Sequence, residues 1–293
     1  MNENFIQIAD FKFSIPASVK LLKKYLPFMI SPCAEEDITS KISLGEINVD
    51  KKHLFSVGEI IDKKQLHIYK EDGEKGNYYA TITIEGSDEK YELYATPNWD
   101  KVTFSKNCIS ADCCPYTIDV LIMLTFIYSS ASHKAILIHA SCVKLDQEAV
   151  AFIGQSGAGK STHSQLWLNN IPGTTLLNDD QPAIRILDNG EIYIYGTPWS
   201  GKTPCYKQDK AILKGIIRMI QAPINKITPL SPVFLFKELL SSSSMMRADS
   251  LTFKQITSTL SKLASRIPSY ILENRPEKEA VDLSYSNTIG KGC

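Results

Sequence analysis

The sequence predicts a mixed α/β fold, α+β overall, in three parts. These are an N-terminal antiparallel β region over residues 1–112, an α/β core over 113–210, and a helical C-terminal region over 211–293 with a possible closing strand. Three observations carry this prediction. Short alternating segments separated by turn residues fill the first third of the chain. An apolar run then enters a glycine-rich stretch, "FIGQSGAGKSTHSQLWL", at residues 152–168. Beyond Lys207 the apolar positions take on helical spacing.

The first part reads as strands. "FIQIADFKFSI" alternates apolar and polar positions, as a half-buried strand does, and a short helix is weakly marked around Leu21–Tyr25. "QLHIYKEDGEKGNYYATITIEGSDEKYELYAT" holds three strand-like runs parted by Asp72-Gly73 with Gly76-Asn77, and by Gly86-Ser87-Asp88. Together they form an expected meander. In the second part "YTIDVLIMLTFIYSS" is apolar nearly all round, which suits a buried helix. "AILIHASCVKL" and "EAVAFIGQSG" read as consecutive strands, "STHSQLWLNN" as a helix, and "TTLLNDDQPAIRI" as strand, acidic pair and strand. "EIYIYGTPWSGKTP" is a strand running into a loop. In the third part "AILKGIIRMIQ", "SPVFLFKELLSS" and "LTFKQITSTLSKLASRI" read as helices. Helical residues Lys207, Lys210, Lys214 and Arg218 could bring positive charge toward ATP or an acidic acceptor, although a solvated cationic face reads better. A strand is expected in the tail "SYILENRPEKEAVDLSY".

Composition narrows the classes open to this chain. Its 293 residues suit one domain of roughly 150–200 residues with a smaller companion. The 32 basic and 32 acidic residues balance, so bulk charge draws neither nucleic acid nor an anionic membrane. The N-terminus shows no apolar run after a basic start, hence no leader pattern. The longest apolar run, within Ile118–Tyr128, is about half of what a bilayer span needs. Seven cysteines at wide spacing without a CxxC pair fit reduced thiols and a cytoplasmic setting.

The glycine-rich stretch carries chemistry. Gly154-Gln155-Ser156-Gly157-Ala158-Gly159-Lys160-Ser161 fits G-x-x-x-x-G-K-[ST] throughout, with a buried strand before it and a helix after it. Glycines let successive backbone N–H groups turn inward around phosphate oxygens, and the following helix adds its unpaired N-terminal donors. Lys160 can reach the β and γ phosphates, and the Ser161 hydroxyl can ligate Mg²⁺. The candidate ATP-binding set is Gly154, Ser156, Gly157, Ala158, Gly159, Lys160, Ser161 and Thr162. Lys202, in the loop Gly196-Thr197-Pro198-Trp199-Ser200-Gly201-Lys202, is a further candidate for phosphate, although a packed turn reads as well there.

Asn178-Asp179-Asp180 follows the apolar run "TTLL", with Asp179 placed 19 residues past Lys160. One such carboxylate can hold Mg²⁺ and its neighbour can take a proton from an attacking hydroxyl. The same residues also make a solvated turn. His139, which follows another apolar run, reads as either a structural or a catalytic histidine.

The order "LIHASCV", "GQSGAGKST", "LLNDDQPAI" resembles the HPr kinase/phosphorylase family and its shorter HPr-kinase-like relatives. These belong to the phosphoenolpyruvate-carboxykinase-like nucleotide-binding fold. The resemblance spans roughly residues 130–205, about a quarter of the chain. "YGTPWSGKT" and "PEKEAVDLSY" look like the shorter relatives rather than HPr kinase itself. The resemblance implies that Asp179 deprotonates the acceptor hydroxyl and that His139 orients that carboxylate. It further implies that Lys160 stabilises the transferred phosphoryl group and that Ser161 and Asp180 hold Mg²⁺. HPr kinase's glycine-rich E-I-R-G-L-G segment has no counterpart here, and "GTPWSGK" stands in about that place. HPr as substrate and the reverse phosphorylase activity are therefore not carried over. Family members can assemble as rings, so a homo-oligomer is possible.

Three functions suit these residues. The leading one is a kinase moving the γ-phosphoryl group of ATP to a hydroxyl, on a protein or peptide serine or a small-molecule alcohol. A second is a non-catalytic or slowly hydrolysing ATP-binding regulator. A third is a carboxykinase-like lyase, which would need arginines for a dicarboxylate; only Arg185, Arg218, Arg247, Arg266 and Arg275 occur.

Overall fold

The computed structural model describes residues 3–61, 64–73, 75–85, 89–109, 115–201, 203–245 and 249–292. It holds two large mixed sheets with several helices and divides into two compact units. One unit is Met1–His133 with Met245–Gln255; the other is Lys134–Ser244 with Ile256–Cys293. Where the sequence predicts a first boundary at residue 112, the first stretch of the first compact unit runs on to His133. Neither unit is continuous in sequence, because the chain leaves the second unit after Ser244 and returns to it at Ile256.

The first unit is built on a nine-stranded sheet. Its strands are β1 (Glu3–Ile8), β2 (Phe11–Pro16), β3 (Met29–Ile30), β4 (Ser40–Gly45), β5 (Leu54–Ile61), β6 (Lys64–Glu71), β7 (Tyr78–Ile84), β8 (Lys90–Ala95) and β9 (Lys101–Ser105). The order across the sheet is β3-β1-β2-β4-β9-β8-β7-β6-β5. β5 to β9 form the expected antiparallel meander, whereas β4 lies parallel to both β2 and β9. The segment read as one strand, "FIQIADFKFSI", is a hairpin. Ala9 and Asp10 turn at φ 50° and 65°, and Ile8 pairs with Phe11. The turn was hidden because the usual Asn-Gly or Asp-Gly signal is absent. Near Leu21–Tyr25 the chain forms a 3-10 helix, Lys23–Phe28. The expected turn at Gly86-Ser87-Asp88 lies outside the described residues.

Helix α1 (Pro115–Ala131) is the buried helix foreseen from its apolar composition. Phe126 packs edge-on against Phe11, and Tyr128 stacks on Trp99 with ring centroids 4.4 Å apart. The start of helix α4 (Ser250–Arg266) also belongs to this unit.

The second unit carries the glycine-rich loop. Its strands are β10 (Ala135–Leu137), β11 (Ser141–Leu145), β12 (Glu148–Ile153), β13 (Thr175–Asn178), β14 (Ala183–Ile186), β15 (Ile192–Tyr195), β16 (Lys210–Gln221), β17 (Lys226–Pro229) and β18 (Ser269–Asn274). They run β10-β14-β15-β16-β12-β11-β13, with β18 beside β16 and β17 beside β18. Helices α2 (Lys160–Asn170), α3 (Pro232–Ser242), most of α4 and α5 (Lys278–Asn287) complete it.

Two expectations change here. "AILKGIIRMIQ" is not a helix but β16, the strand that joins the parallel and antiparallel parts of the sheet. Its isoleucines are β-branched and suit a pleated surface flanked on both sides, and its burial alternates along most of its length. Ala, Leu and Lys gave it the look of a helix, which tertiary pairing overrides. An extra residue, Lys214, bulges opposite Ala149–Val150, and a Cβ on Gly215 would lie 2.6 Å from Thr288. The supposed cationic helical face therefore does not exist. Lys214 pairs with Glu148 at 3.0 Å, Arg218 with Glu238 at 3.0 Å, and Lys210 lies over the rings of Tyr193 and Tyr195.

The acidic pair follows β13, and nothing in the sequence decided how that strand would pair. It pairs antiparallel with β11. The strand expected in the tail is β18, parallel to β16 and followed by α5. Among the described residues no helix is long and apolar enough to cross a membrane.

Candidate functional site

The phosphate-loop candidates occupy the turn from β12 into α2. Gly154, Gly157 and Gly159 have φ of 146°, 80° and 93°, values that favour glycine. A Cβ on Gly154 would lie 3.0 Å from the Met219 carbonyl oxygen, so the loop passes close over β16. Gln221, at the end of β16, donates from Nε2 to the Gly157 carbonyl at 2.9 Å and ties the loop to that strand. A cleft of about 290 Å³ lies between them, bordered by Ser156, Ala158, Arg218 and Gln221. Gly159 caps α2, and Ser161 and Thr162 stand exposed on its first turn. The Lys160 ammonium donates to the Gly154 carbonyl at 2.9 Å and to that of Gln155 at 3.3 Å. Burial lowers the pKa of Lys160, while the charges of Asp180 and Asp179 oppose that shift, so both carboxylates lie within its electrostatic reach.

Asn178, fully buried at the end of β13, builds the acidic turn. Its Oδ1 accepts from the backbone N–H groups of Asp180 and Gln181, both at 2.9 Å. Its Nδ2 donates to the carbonyl oxygen and hydroxyl of Thr197, at 3.3 and 3.2 Å. Thr197 in turn donates to the Gln181 carbonyl at 2.7 Å, and Gln181 N–H to that of Trp199 at 3.2 Å. The 196–201 loop is thereby packed on the acidic turn. A Cβ on Gly201 would lie 3.0 Å from the Asp179 carbonyl oxygen. Trp199 is buried in the same packing. Lys202, the loop's candidate, lies outside the described residues.

Asp179 is 9% exposed, and its Oδ1 is buried without a hydrogen-bond partner. A shielded carboxylate oxygen of this kind has acceptor capacity left for a substrate proton. His139 sits where the chain crosses from β10 to β11, a break the sequence did not reveal. Its N–H donates to Ser242 at 2.7 Å, and the next N–H, of Ala140, to the Asp180 carbonyl at 2.9 Å. The imidazole Nδ1 stands 2.9 Å from Asp180 Oδ1. His139 thus engages Asp180 and not Asp179, the carboxylate it was expected to orient. The backbone bonds of His139 and Ala140 hold the imidazole beside Asp180.

Residues that the sequence did not single out include Asn178, Thr197, Gly201 and Gln221. An Asn before two Asp residues signals a turn, and that signal alone pointed to Asn178. The other three act through contacts between segments far apart in the chain.

No group of three or more His, Cys, Asp or Glu side chains able to hold a metal occurs among the described residues. The candidate donors open to solvent are Ser161, which is exposed, and Asp180, which is partly exposed. These are hard oxygen ligands, few in number, and fit a Mg²⁺ ion held partly by phosphates.

No protein-family model matches the chain, and no curated protein matches it. Among solved structures, the HPr(Ser) kinase/phosphatase from Coxiella burnetii is similar with a TM-score of 0.31 and 11% identity. The similarity covers 53% of this chain and 89% of that one. It is a distant likeness of fold.

Proposed function

We propose that the chain is an ATP-dependent phosphotransferase that moves the γ-phosphoryl group to a hydroxyl, on a serine of a protein or peptide. One observation carries this reading. A glycine-rich phosphate loop and a buried carboxylate with an unpartnered oxygen belong to one compact unit, with Lys160 within electrostatic reach of that carboxylate. In this reading Asp179 Oδ1 accepts the acceptor's proton. The acceptor oxygen bonds to the γ-phosphorus as the bond to the β–γ bridging oxygen breaks, and ADP leaves. Lys160 turns from its loop carbonyls toward the phosphates, and the loop N–H groups hold the β phosphate. Mg²⁺, when bound, would neutralise phosphate charge, with Ser161 and Asp180 as its protein ligands. His139 keeps Asp180 in place. The family suggested by the sequence, HPr-kinase-like kinases, is part of the same proposal.

The test is incubation with γ-labelled ATP and Mg²⁺, using a lysate of the native organism as acceptor. Label should pass to an acceptor with the natural chain and be lost with Lys160→Ala. Asp179→Asn should cut transfer by at least about 100-fold, the lower range for a general base, while ATP binding stays within about threefold. Transfer that survives Asp179→Asn removes the base role. ATP binding without any transfer supports the regulator instead.

A further inference from the structure

A second cleft, of about 340 Å³, opens beside the first turn of α2. Thr162, Leu166, Gln221, Asn274, Arg275 and Pro276 are among its walls, and neither Asp179, Asp180 nor His139 borders it. If the phosphate chain lies over the loop with its reactive end at Lys160 and Asp179, this cleft is where the opposite end continues. Its volume is at the lower end of the range for small-molecule sites, which begins near about 300 Å³. Leu166 lies four residues past Thr162, about 6 Å further along the helix, and with Pro276 gives apolar surface suited to a flat ring.

Asn274, the last residue of β18, supplies the specific feature. It is 7% exposed, and its Oδ1 has no hydrogen-bond partner. The amide orientation is set by the other end, since Nδ2 donates to the Arg275 carbonyl at 3.3 Å. A buried amide oxygen without a donor is uncommon and asks what donor it serves. Less than 1 Å² of it is open to solvent, so a ligand donor reaches it only when the amide turns toward the cleft that Asn274 lines.

We propose that this cleft takes the base of the nucleotide and that Asn274 Oδ1 accepts the exocyclic amino group of adenine. Asn274 is then a specificity residue, selecting ATP over nucleotides that carry a keto oxygen at that position. A keto oxygen would face the amide oxygen with two acceptors and no hydrogen between them. The inference rests on the proposed ATP site but does not require turnover.

Calorimetric titration of the full chain with ATP, ITP and 2′-deoxy-ATP, each with Mg²⁺, tests it. ATP should bind about tenfold or more tightly than ITP, the value of one well-made hydrogen bond. Asn274→Leu should weaken ATP to the ITP level and leave ITP within about twofold, with a cooperative thermal melt retained. Equal binding of ATP and ITP by the natural chain overturns the proposal without needing the variant. So does an Asn274→Leu protein that weakens both nucleotides alike, or one that erases a preference for ATP over 2′-deoxy-ATP instead, which would assign Asn274 to the sugar. Failure of every nucleotide to bind removes the proposed function as well, whereas equal binding removes base selection alone.

Discussion

His163, one turn into α2 behind the phosphate loop, is nearly enclosed. The Trp167 indole N–H donates to Ser284 Oγ at 2.8 Å and reaches His163 Nε2 at 3.2 Å, while Nδ1 is buried without a partner. Burial lowers its pKa to about 4. The imidazole is therefore neutral in the folded chain down to that pH, whereas the unfolded chain takes up the proton near its ordinary value of about 6.5. Stability from this group is complete above about pH 6.5 and drains away as pH falls toward 4, by up to roughly 3 kcal/mol. Urea unfolding of the natural chain and of His163→Gln across this window should show the difference, with the variant losing that part of the slope. At this scale the phosphate loop was readable because its backbone turns require glycine at fixed places. The partner of His139 was not. Whether it would face Asp179 or Asp180 depends on backbone bonds to Ser242 and Asp180, which no local pattern encodes.

The acidic turn shows what one buried side chain does for an element. Asn178 serves two backbone N–H groups on one side and Thr197 on the other, joining the end of β13 to the loop after β15. Asn178→Ala leaves these groups without partners in a dry setting and should cost about 2–4 kcal/mol, read from the shift of the urea midpoint. Phosphoryl transfer should fall with it even at temperatures where the variant stays folded, because the carboxylates lose their anchor. The elements themselves were unevenly legible. α1, α2, α3 and α4 were visible from their apolar runs and flanking breakers. β16 was misread because its residues satisfy both periods and only its neighbours β12, β15 and β18 decide between them. The turn joining β1 and β2 was missed because Ala9 and Asp10 adopt left-handed backbone without the usual glycine.

At the scale of the whole molecule, neither unit can be obtained by one cut. The segment Met245–Gln255 belongs to the first unit although it follows α3 of the second. Asp249, fully buried there, accepts from the Tyr78 hydroxyl at 2.9 Å and the Thr252 hydroxyl at 2.5 Å, with the Lys70 ammonium 4.0 Å away. Asp249→Ala leaves these donors unserved and should lower the stability of the chain by about 3 kcal/mol, measurable by thermal and urea melts. A run of four serines, Ser241–Ser244, stands at the first crossing, but nothing comparable marks the second, between Gln255 and Ile256, so the return itself was not legible. The pairing of β12 has a consequence in time. β11 joins β12 through a two-residue turn, whereas the parallel partner of Glu148 is Ile212, 64 positions on. Local closure is cheap and distant closure slow. In pulse-labelled refolding the amides of β11 and β12 should gain protection before those of β16, and capture of a fluorescent ATP analogue should follow the later phase. A ribosome that has released the chain only as far as the acidic turn has delivered the glycines, the lysine and both carboxylates. The strand that closes over the loop has still to be made, so the signature is complete in the nascent chain well before the pocket is.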